Sequence, residues 1–385
     1  MSASSATEPS RGGVAFTCQT VDESMMWARQ AVLRIKALGF GAAADNVRGS
    51  TWTMSSSCSG IQAPELAMSM IAAAMEVNTK ALWAAEKDVR CQKEILASHQ
   101  CPDHVFGDLL YFLDPEVRTQ LLQIRSEDVS ARRDVIFSRD TLREAKCLRC
   151  KRVCSIERAH IHVAGTPCVH DSPLGHRGKL AGEHSWILFL FCKQRRDLRE
   201  PVWIHENVPS QGDTVLRQEL GDLYRIERVV VDCQNLGWSS RRLRQFVIGT
   251  CHDMIPTISC MPLGNLLGDI FERSSTYGVL AYCVSTDEEV EESRIWAASR
   301  KEVARRHGGQ QVGASFENAL IGSEFERLTY FREHRPDQCW DLGQDVKRPS
   351  CSSLRGPLHC LTKHVGIIWV PGLERFLTHQ DEKRS

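Results

Sequence analysis

No run in this sequence is apolar for long enough to span a membrane; "WILFLF" (186–191) is far too short and reads as buried core. No charge sign dominates either. Lys plus Arg number 48 and Asp plus Glu number 48, so the formal net charge is zero. That removes any global field in favour of nucleic acid, and such binding would have to rest on local basic clusters. No internal repeat is visible, and no signal peptide. The 16 cysteines follow no short regular disulfide pattern. Reduced thiols inside a cell are therefore expected, which leaves a catalytic thiolate chemically open.

What is present is ample core-forming material. Hydrophobic residues make up 42% of 385 residues, enough for one large domain or two ordinary ones. Residues 1–14 are small and polar and read as a disordered tail. "DESMMWARQAVLRIKALGF" (22–40) has helical spacing, an acidic start and a glycine stop. Short apolar runs then alternate with helix-like stretches. Strands are expected at "STWTMSSSCSG" (50–60), "KALWAAEKD" (80–88), "HVFGDLL" (104–110), "RAHIHVAGTPC" (158–168), "PVWIHENVP" (201–209), "ERVVVDCQNL" (227–236) and "RRLRQFVIGT" (241–250). Helices are expected at "PELAMSMIAAAMEV", near 89–98, across 113–146 and at "EHSWILFLFCKQRRDL". This alternation predicts an α/β fold with a mostly parallel sheet, whose ligands bind at the carboxyl ends of the strands. From 251 to about 350 the alternation fades, as in an inserted smaller domain.

The expected strand ends carry polar residues in a particular order. Gly60 permits a tight turn after the first, and Glu86, after the second, could accept from a ribose diol. Asp108 follows the third strand, Pro167 and Cys168 the fourth, and Glu206 and Asn207 the fifth. Arg242 and Arg244 lie two apart at the start of the seventh, on one side of an extended segment. Each signal is modest alone.

Their order resembles the DNA (cytosine-5) methyltransferase family. "SCSGIQAPELA" (57–67) is similar to its first cofactor motif, with Cys58, Gln62 and Ala63 in place of the usual aromatic and paired glycines. Glu86 and "GDL" (107–109) match its ribose- and adenine-contacting positions. "GTPCVHDSPLG" (165–175) matches the Pro-Cys catalytic loop, with Asp171 where an aromatic is usual. "ENV" (206–208) is the family's glutamate motif. "GWSSRRLRQFVIG" (237–249) matches the paired-arginine motif, with Ser239 and Ser240 replacing Pro-Gln. "RFLTHQDE" (375–382) resembles the arginine-leucine-threonine motif.

The resemblance implies a Rossmann-like, S-adenosylmethionine-dependent methyltransferase fold with a seven-stranded sheet. A core over 15–250 would be followed by a target-recognition domain over 251–350 and a return to the core at 351–385. In the family a further helix with an Asn-containing loop follows that last motif. Here Ser385 comes seven residues after Thr378, so the core reads as truncated, with helix 22–40 a candidate to fill the place. The resemblance also implies S-adenosyl-L-methionine as cofactor, held by Ser59, Gly60, Ile61, Glu86, Asp108, Leu109 and Pro167. Catalysis would rest on Cys168, Glu206, Arg242 and Arg244.

Those residue types suit the reaction. Cytosine carbon-5 is a poor nucleophile, and a thiolate adding to carbon-6 makes it enamine-like. A carboxyl group at ring nitrogen-3 offsets the charge that develops, and arginines hold base and phosphate and favour the thiolate. The target base has to leave the duplex, so the expected partner is DNA with a flipped cytosine, and the expected location is intracellular, the nucleus if the cell is eukaryotic. Two alternatives stay open: transfer-RNA cytosine-5 methylation, and a non-catalytic relative that binds DNA or a partner methyltransferase.

Three further clusters are ambiguous. "CLRCKRVC" (147–154), with His160 nearby, has zinc-ligand types. Its charged, helix-like context and lack of a second matched pair favour an inserted helix, so no metal is expected. "KQRRDLR" (193–199) and "ARRHGG" (304–309) would either meet phosphates or form solvated faces.

Overall fold

The computed structural model of the chain describes residues 16–167, 182, 184–209, 213–255, 263–308, 310, 312–347, 351–353, 356–359 and 367–378. They fall into two compact units: residues 28–231 with 243–270, and the described residues up to 27 with 232–242 and those from 271 onward.

The larger unit is a Rossmann-like α/β layer built on one seven-stranded sheet. Its strands are β1 (Thr51–Ser57), β2 (Asn78–Ala85), β3 (His104–Phe106), β4 (Ile161–Gly165), β5 (Val202–Asn207), β6 (Tyr224–Asp232) and β7 (Leu243–Cys251), in the spatial order β3-β2-β1-β4-β5-β7-β6. The ladders β1–β2, β1–β4, β2–β3 and β4–β5 are parallel. Between the parallel strands run helices such as α1 (Ala63–Met75), α2 (Val89–Ala97) and α3 (Trp186–Leu198). Strand β7 is antiparallel to β5, with Phe246 opposite Glu206. The mostly parallel, seven-stranded architecture expected from the sequence is the one observed.

Burial explains the strand signals. β1 and β2 each end in four buried residues, as expected where a parallel strand is covered on both faces. β5 alternates half-buried and buried positions. Trp83 packs edge-on to Phe106 and Phe112, and Phe191 edge-on to Trp203. At Gly249 a Cβ atom would lie 2.1 Å from the buried Trp203 ring, so glycine there makes room for the indole.

Two sequence expectations change. The helix expected over 22–40 is broken: Trp27–Ile35 is helical, but Gly39 at φ 94° interrupts the next turn before Gly41–Asn46 resumes. The 113–146 stretch holds two helices, Pro115–Gln123 and Val129–Phe137, and then a strand, Glu144–Lys146, that pairs with Val153–Ser155.

The smaller unit has its own sheet of four strands in the order Cys351–Ser353, Gln338–Asp341, Ile368–Val370, Arg375–Phe376. Trp340 stacks on Phe331 of helix Gly322–His334, with centroids 5.5 Å apart. Helix Asp287–Ala298 starts at a capping box between Thr286 and Glu289. Strand Phe16–Cys18 pairs in parallel with Arg273–Ser275. These ladders set the division. They draw 16–18, 351–353 and 367–378 into the smaller unit, where the sequence reading placed them in the core. No helix among the described residues is long and apolar enough to cross a membrane.

Candidate active site

The carboxyl ends of the parallel strands gather most of the residues expected there. After β1 the chain turns through three left-handed residues, Cys58 (φ 51°), Gly60 (φ 54°) and Gln62 (φ 71°). Only glycine adopts this region without steric cost, so Cys58 and Gln62 hold a strained turn in place. Ser59 pins it, its backbone N–H and hydroxyl both donating to the Ala85 carbonyl at 3.3 Å. A Cβ on Gly60 would meet nothing within 4 Å, and the neighbouring Ile61 side chain is 71% exposed. The turn thus presents open backbone and an uncovered apolar side chain.

Glu86, just after β2, faces this turn. Its two carboxylate oxygens accept from the Gly60 and Asp88 backbone N–H groups, each at 2.8 Å. An ionised carboxylate has about four acceptor positions, so about two remain for a bound diol. Asp108, after β3, caps the short helix Leu109–Phe112 by accepting from Leu110 N–H at 3.0 Å, and pairs with Lys87 at 3.1 Å. Leu109 itself is buried. Burial, with the charges of Glu86 and Asp108 nearby, pushes the Cys58 thiol up to about 12.

The ends of β4 and β5 form a second cluster. Asn207 donates from Nδ2 to the Thr166 carbonyl at 3.0 Å and contacts Thr166 Oγ1 at 3.1 Å. Its Oδ1 accepts from Val208 N–H at 2.8 Å. His205 Nε2 lies 2.8 Å from the same Thr166 hydroxyl, and burial pushes its imidazole down to about 4. Thr166 is thus clamped from two sides, while Pro167 after it is exposed. Cys168 lies outside the described residues.

Glu206 projects from β5 between these groups. Its Oε1 pairs with Arg244 Nε at 2.8 Å, and a Cβ on Gly165 would come within 3.3 Å of its Oε2. Gly165 therefore leaves space for the carboxylate, and antiparallel β7 delivers Arg244 to it. Arg242 falls in the other unit, where its N–H donates to Asp232 Oδ1 at 3.1 Å. The structure thus brings Glu206 and Arg244 together and gathers Ser59, Gly60, Glu86 and Asp108 at adjacent strand ends.

Sequence reasoning missed the support beneath these residues. His205, Thr166 and the clamping role of Asn207 were not anticipated. Nor was His162, whose ring nitrogens contact Ser55 and Ser57 hydroxyls at 2.8 and 2.7 Å. The available signal was polar side chains at buried positions of otherwise apolar strands.

Other expectations are corrected. Residues 147–154 form the turn and the start of the second strand of a hairpin instead of a helix, and His160 accepts from the Thr53 N–H at 3.0 Å, apart from those cysteines. In "KQRRDLR", Lys193 pairs with Asp140, Arg195 with Glu200, Arg196 with Asp222 and Arg199 with Asp253. The Arg195–Glu200 pair is fully buried, whereas Asp140, Asp222 and Asp253 are exposed, so this stretch makes one internal ion pair and several at the surface. In "ARRHGG", Arg306 donates to the Glu317 and Leu320 carbonyls and lies 4.1 Å over the Phe325 ring, whereas Arg305 is exposed.

No family model matches this sequence, and no curated protein matches it. Solved structures resemble it in fold. A prophage-encoded protein of E. coli, assigned as a DNA modification methyltransferase, is 13% identical with a TM-score of 0.47, covering 86% of this chain and 87% of its own. The Dnmt2 methyltransferase of S. pombe is 9% identical with a TM-score of 0.40, over 68% of this chain and 66% of its own. The methyltransferase EhMeth of Entamoeba histolytica is 12% identical with a TM-score of 0.38, over 66% of each chain. At such identities and scores the chemistry has to be argued from the side chains.

Proposed function

We propose that the chain is an S-adenosylmethionine-dependent DNA (cytosine-5) methyltransferase acting through a covalent Cys168 adduct. The observation that carries this reading is the juxtaposition at the carboxyl ends of neighbouring strands. The Glu206–Arg244 pair stands beside the Gly165-Thr166-Pro167 turn, and Gly60, Glu86 and Asp108 occupy the neighbouring strand ends.

The cofactor fits the residues present. The unused acceptor positions of Glu86 suit the ribose hydroxyls, the bare backbone at Gly60 allows close approach, and exposed Ile61 offers apolar cover. When bound, S-adenosylmethionine supplies the methyl group. Cys168, two positions after the Thr166 that Asn207 and His205 clamp, adds as thiolate to carbon-6 of a flipped cytosine. Glu206, as a protonated carboxyl, donates a hydrogen bond to ring nitrogen-3 and offsets the negative charge that builds on the ring, while Arg244 fixes the position of the carboxyl group. Loss of the carbon-5 proton lets the thiolate leave. Recognition of DNA is assigned to the smaller unit, where Arg305 is exposed.

Duplex DNA carrying 5-fluorocytosine tests this. That base keeps its carbon-5 substituent, so the adduct should accumulate in the presence of S-adenosylmethionine and map to Cys168. Trapping on RNA in its place would move the substrate class. No binding of S-adenosylmethionine at millimolar concentration would leave only a non-catalytic role.

A further inference from the structure

The cysteines that the proposed chemistry leaves unused are not scattered. His104 Nδ1 or Nε2 and the sulfurs of Cys147, Cys150 and Cys154 all lie within 4.8 Å of one another. His104 opens β3, while Cys147 and Cys154 sit at the two sides of the hairpin Glu144–Lys146/Val153–Ser155, and Cys150 sits in its turn. From this geometry we infer a structural zinc site with a Cys₃His donor set.

Four observations support it. The first is spacing. Tetrahedral zinc, with bonds of about 2.3 Å to sulfur and 2.0–2.1 Å to nitrogen, sets its donors roughly 3.4–3.8 Å apart. Cys150 Sγ and His104 Nδ1 already stand 3.4 Å apart, so the group needs to contract only slightly around an ion.

The second is the turn itself. Cys147 N–H donates to the Arg152 carbonyl at 2.8 Å, Lys151 N–H donates to the Cys147 carbonyl at 3.0 Å, and Lys151 adopts φ 60°. This folds a C-x-x-C loop so that its two sulfurs point the same way. The third concerns Cys147 Sγ, which accepts two backbone N–H groups, from Val105 at 3.4 Å and from Cys150 at 3.3 Å. Such donors stabilise a thiolate ligand and fix its direction.

The fourth is what the hairpin lacks. Its strands are three residues each, and its turn, "LRCKR", is mostly charged. A ribbon this small is at best marginal alone. It is nevertheless held against the start of β3, where Leu148 N–H donates to the Val105 carbonyl at 2.6 Å. β3 is the edge strand of the large sheet. An ion bound by one donor from β3 and three from the hairpin would staple the ribbon to that edge and cover its open hydrogen-bonding groups. All four positions are protein donors, so no site is left for a substrate, and the role is structural instead of catalytic. The sequence hid this because the fourth ligand lies upstream, at the start of another strand, and not at the nearby His160.

Metal analysis of the full chain, purified without chelator from zinc-supplemented cells, tests the proposal independently of any activity. The expected result is one zinc per chain, falling below a tenth in Cys147→Ser and in Cys150→Ser and unchanged in Cys91→Ser. Because ligand variants can fail to fold, the unaltered chain is also stripped by chelator and titrated with Co²⁺. One equivalent should produce the ligand-field bands of a tetrahedral thiolate site, and zinc should erase them. Metal-free protein, iron in place of zinc, zinc retained by Cys147→Ser, or a disulfide within the three cysteines on thiol mapping would each overturn it.

Discussion

Replacing Asn207 by Ala should separate the scaffold at the end of β4 from the chemistry proposed there. The Asn207 side chain is buried and makes three contacts. Nδ2 reaches the Thr166 carbonyl and hydroxyl, and Oδ1 takes the Val208 N–H. In the Ala variant the Thr166 hydroxyl keeps His205, but the Thr166 carbonyl and the Val208 N–H both lose their side-chain partner. Each of these two orphaned groups costs about 1–2 kcal/mol, so a total of about 2–4 kcal/mol is expected. Urea melts followed by tryptophan fluorescence measure it, read on the transition of the larger unit, which contains Trp83 and Trp203. The same variant should slow adduct formation on 5-fluorocytosine DNA by roughly 10–100-fold, since a loosened turn misplaces its nucleophile. Its affinity for S-adenosylmethionine should hold, because Glu86 and Gly60 are untouched. A variant that loses less than about 0.5 kcal/mol and traps DNA at the unaltered rate would refute the clamp.

Further outcomes follow from the same geometry. Glu86→Ala should weaken S-adenosylmethionine binding by roughly 10–100-fold in calorimetry, as expected for a lost charge-assisted partner, with Glu86→Gln in between; equal affinity in all three proteins would place the cofactor elsewhere. Glu206→Gln should slow methyl transfer by roughly 10²–10⁴ with cofactor affinity kept, whereas abolished binding with unaltered turnover would make Glu206 structural. Gly249→Ala drives a methyl group into the Trp203 ring and should cost about 3 kcal/mol or more, visible as a lowered urea midpoint; a midpoint within error of the parent contradicts that packing. His205 is held neutral by burial, down to about 4, so it contributes stability that is present above its unfolded value of about 6.5 and is lost as pH falls through that window. The loss should amount to about 3 kcal/mol between pH 6.5 and 4, and an unchanged acid profile in His205→Gln would remove His205 as its source.

The sheet was legible in the sequence because its strands are short apolar runs between helical ones, and their polar ends stood out. Gly60, Glu86, Asp108, Glu206 and Arg244 were found this way. What escaped was set by contacts distant in sequence. Thr166, His205 and Asn207 satisfy one another within buried strands, where a single sequence shows only stray polar letters. The ion pairs of "KQRRDLR" were not legible because their acidic partners, Asp140, Asp222 and Asp253, are brought in by other elements. The hairpin at 144–155 was read as helix because charged residues with few apolar ones suit an exposed helix as well as a small ribbon. Nor does alternation along the chain reveal which strand a short segment will pair with, as Phe16–Cys18 pairs with Arg273–Ser275.

The pairing of Phe16–Cys18 with Arg273–Ser275 has a consequence for how the protein is made. Thr17 and Ser274, whose hydroxyls meet across that pair, are 257 positions apart. At roughly 5–20 residues per second, the first strand waits about 13–50 s on the ribosome before its partner is synthesised. The whole seven-stranded sheet emerges within that interval, since β7 ends at Cys251. The larger unit can therefore be complete while the smaller one still has its opening segment exposed and most of its sheet unmade. The order of translation makes the segment Phe16–Cys18 wait longest for its partner strand.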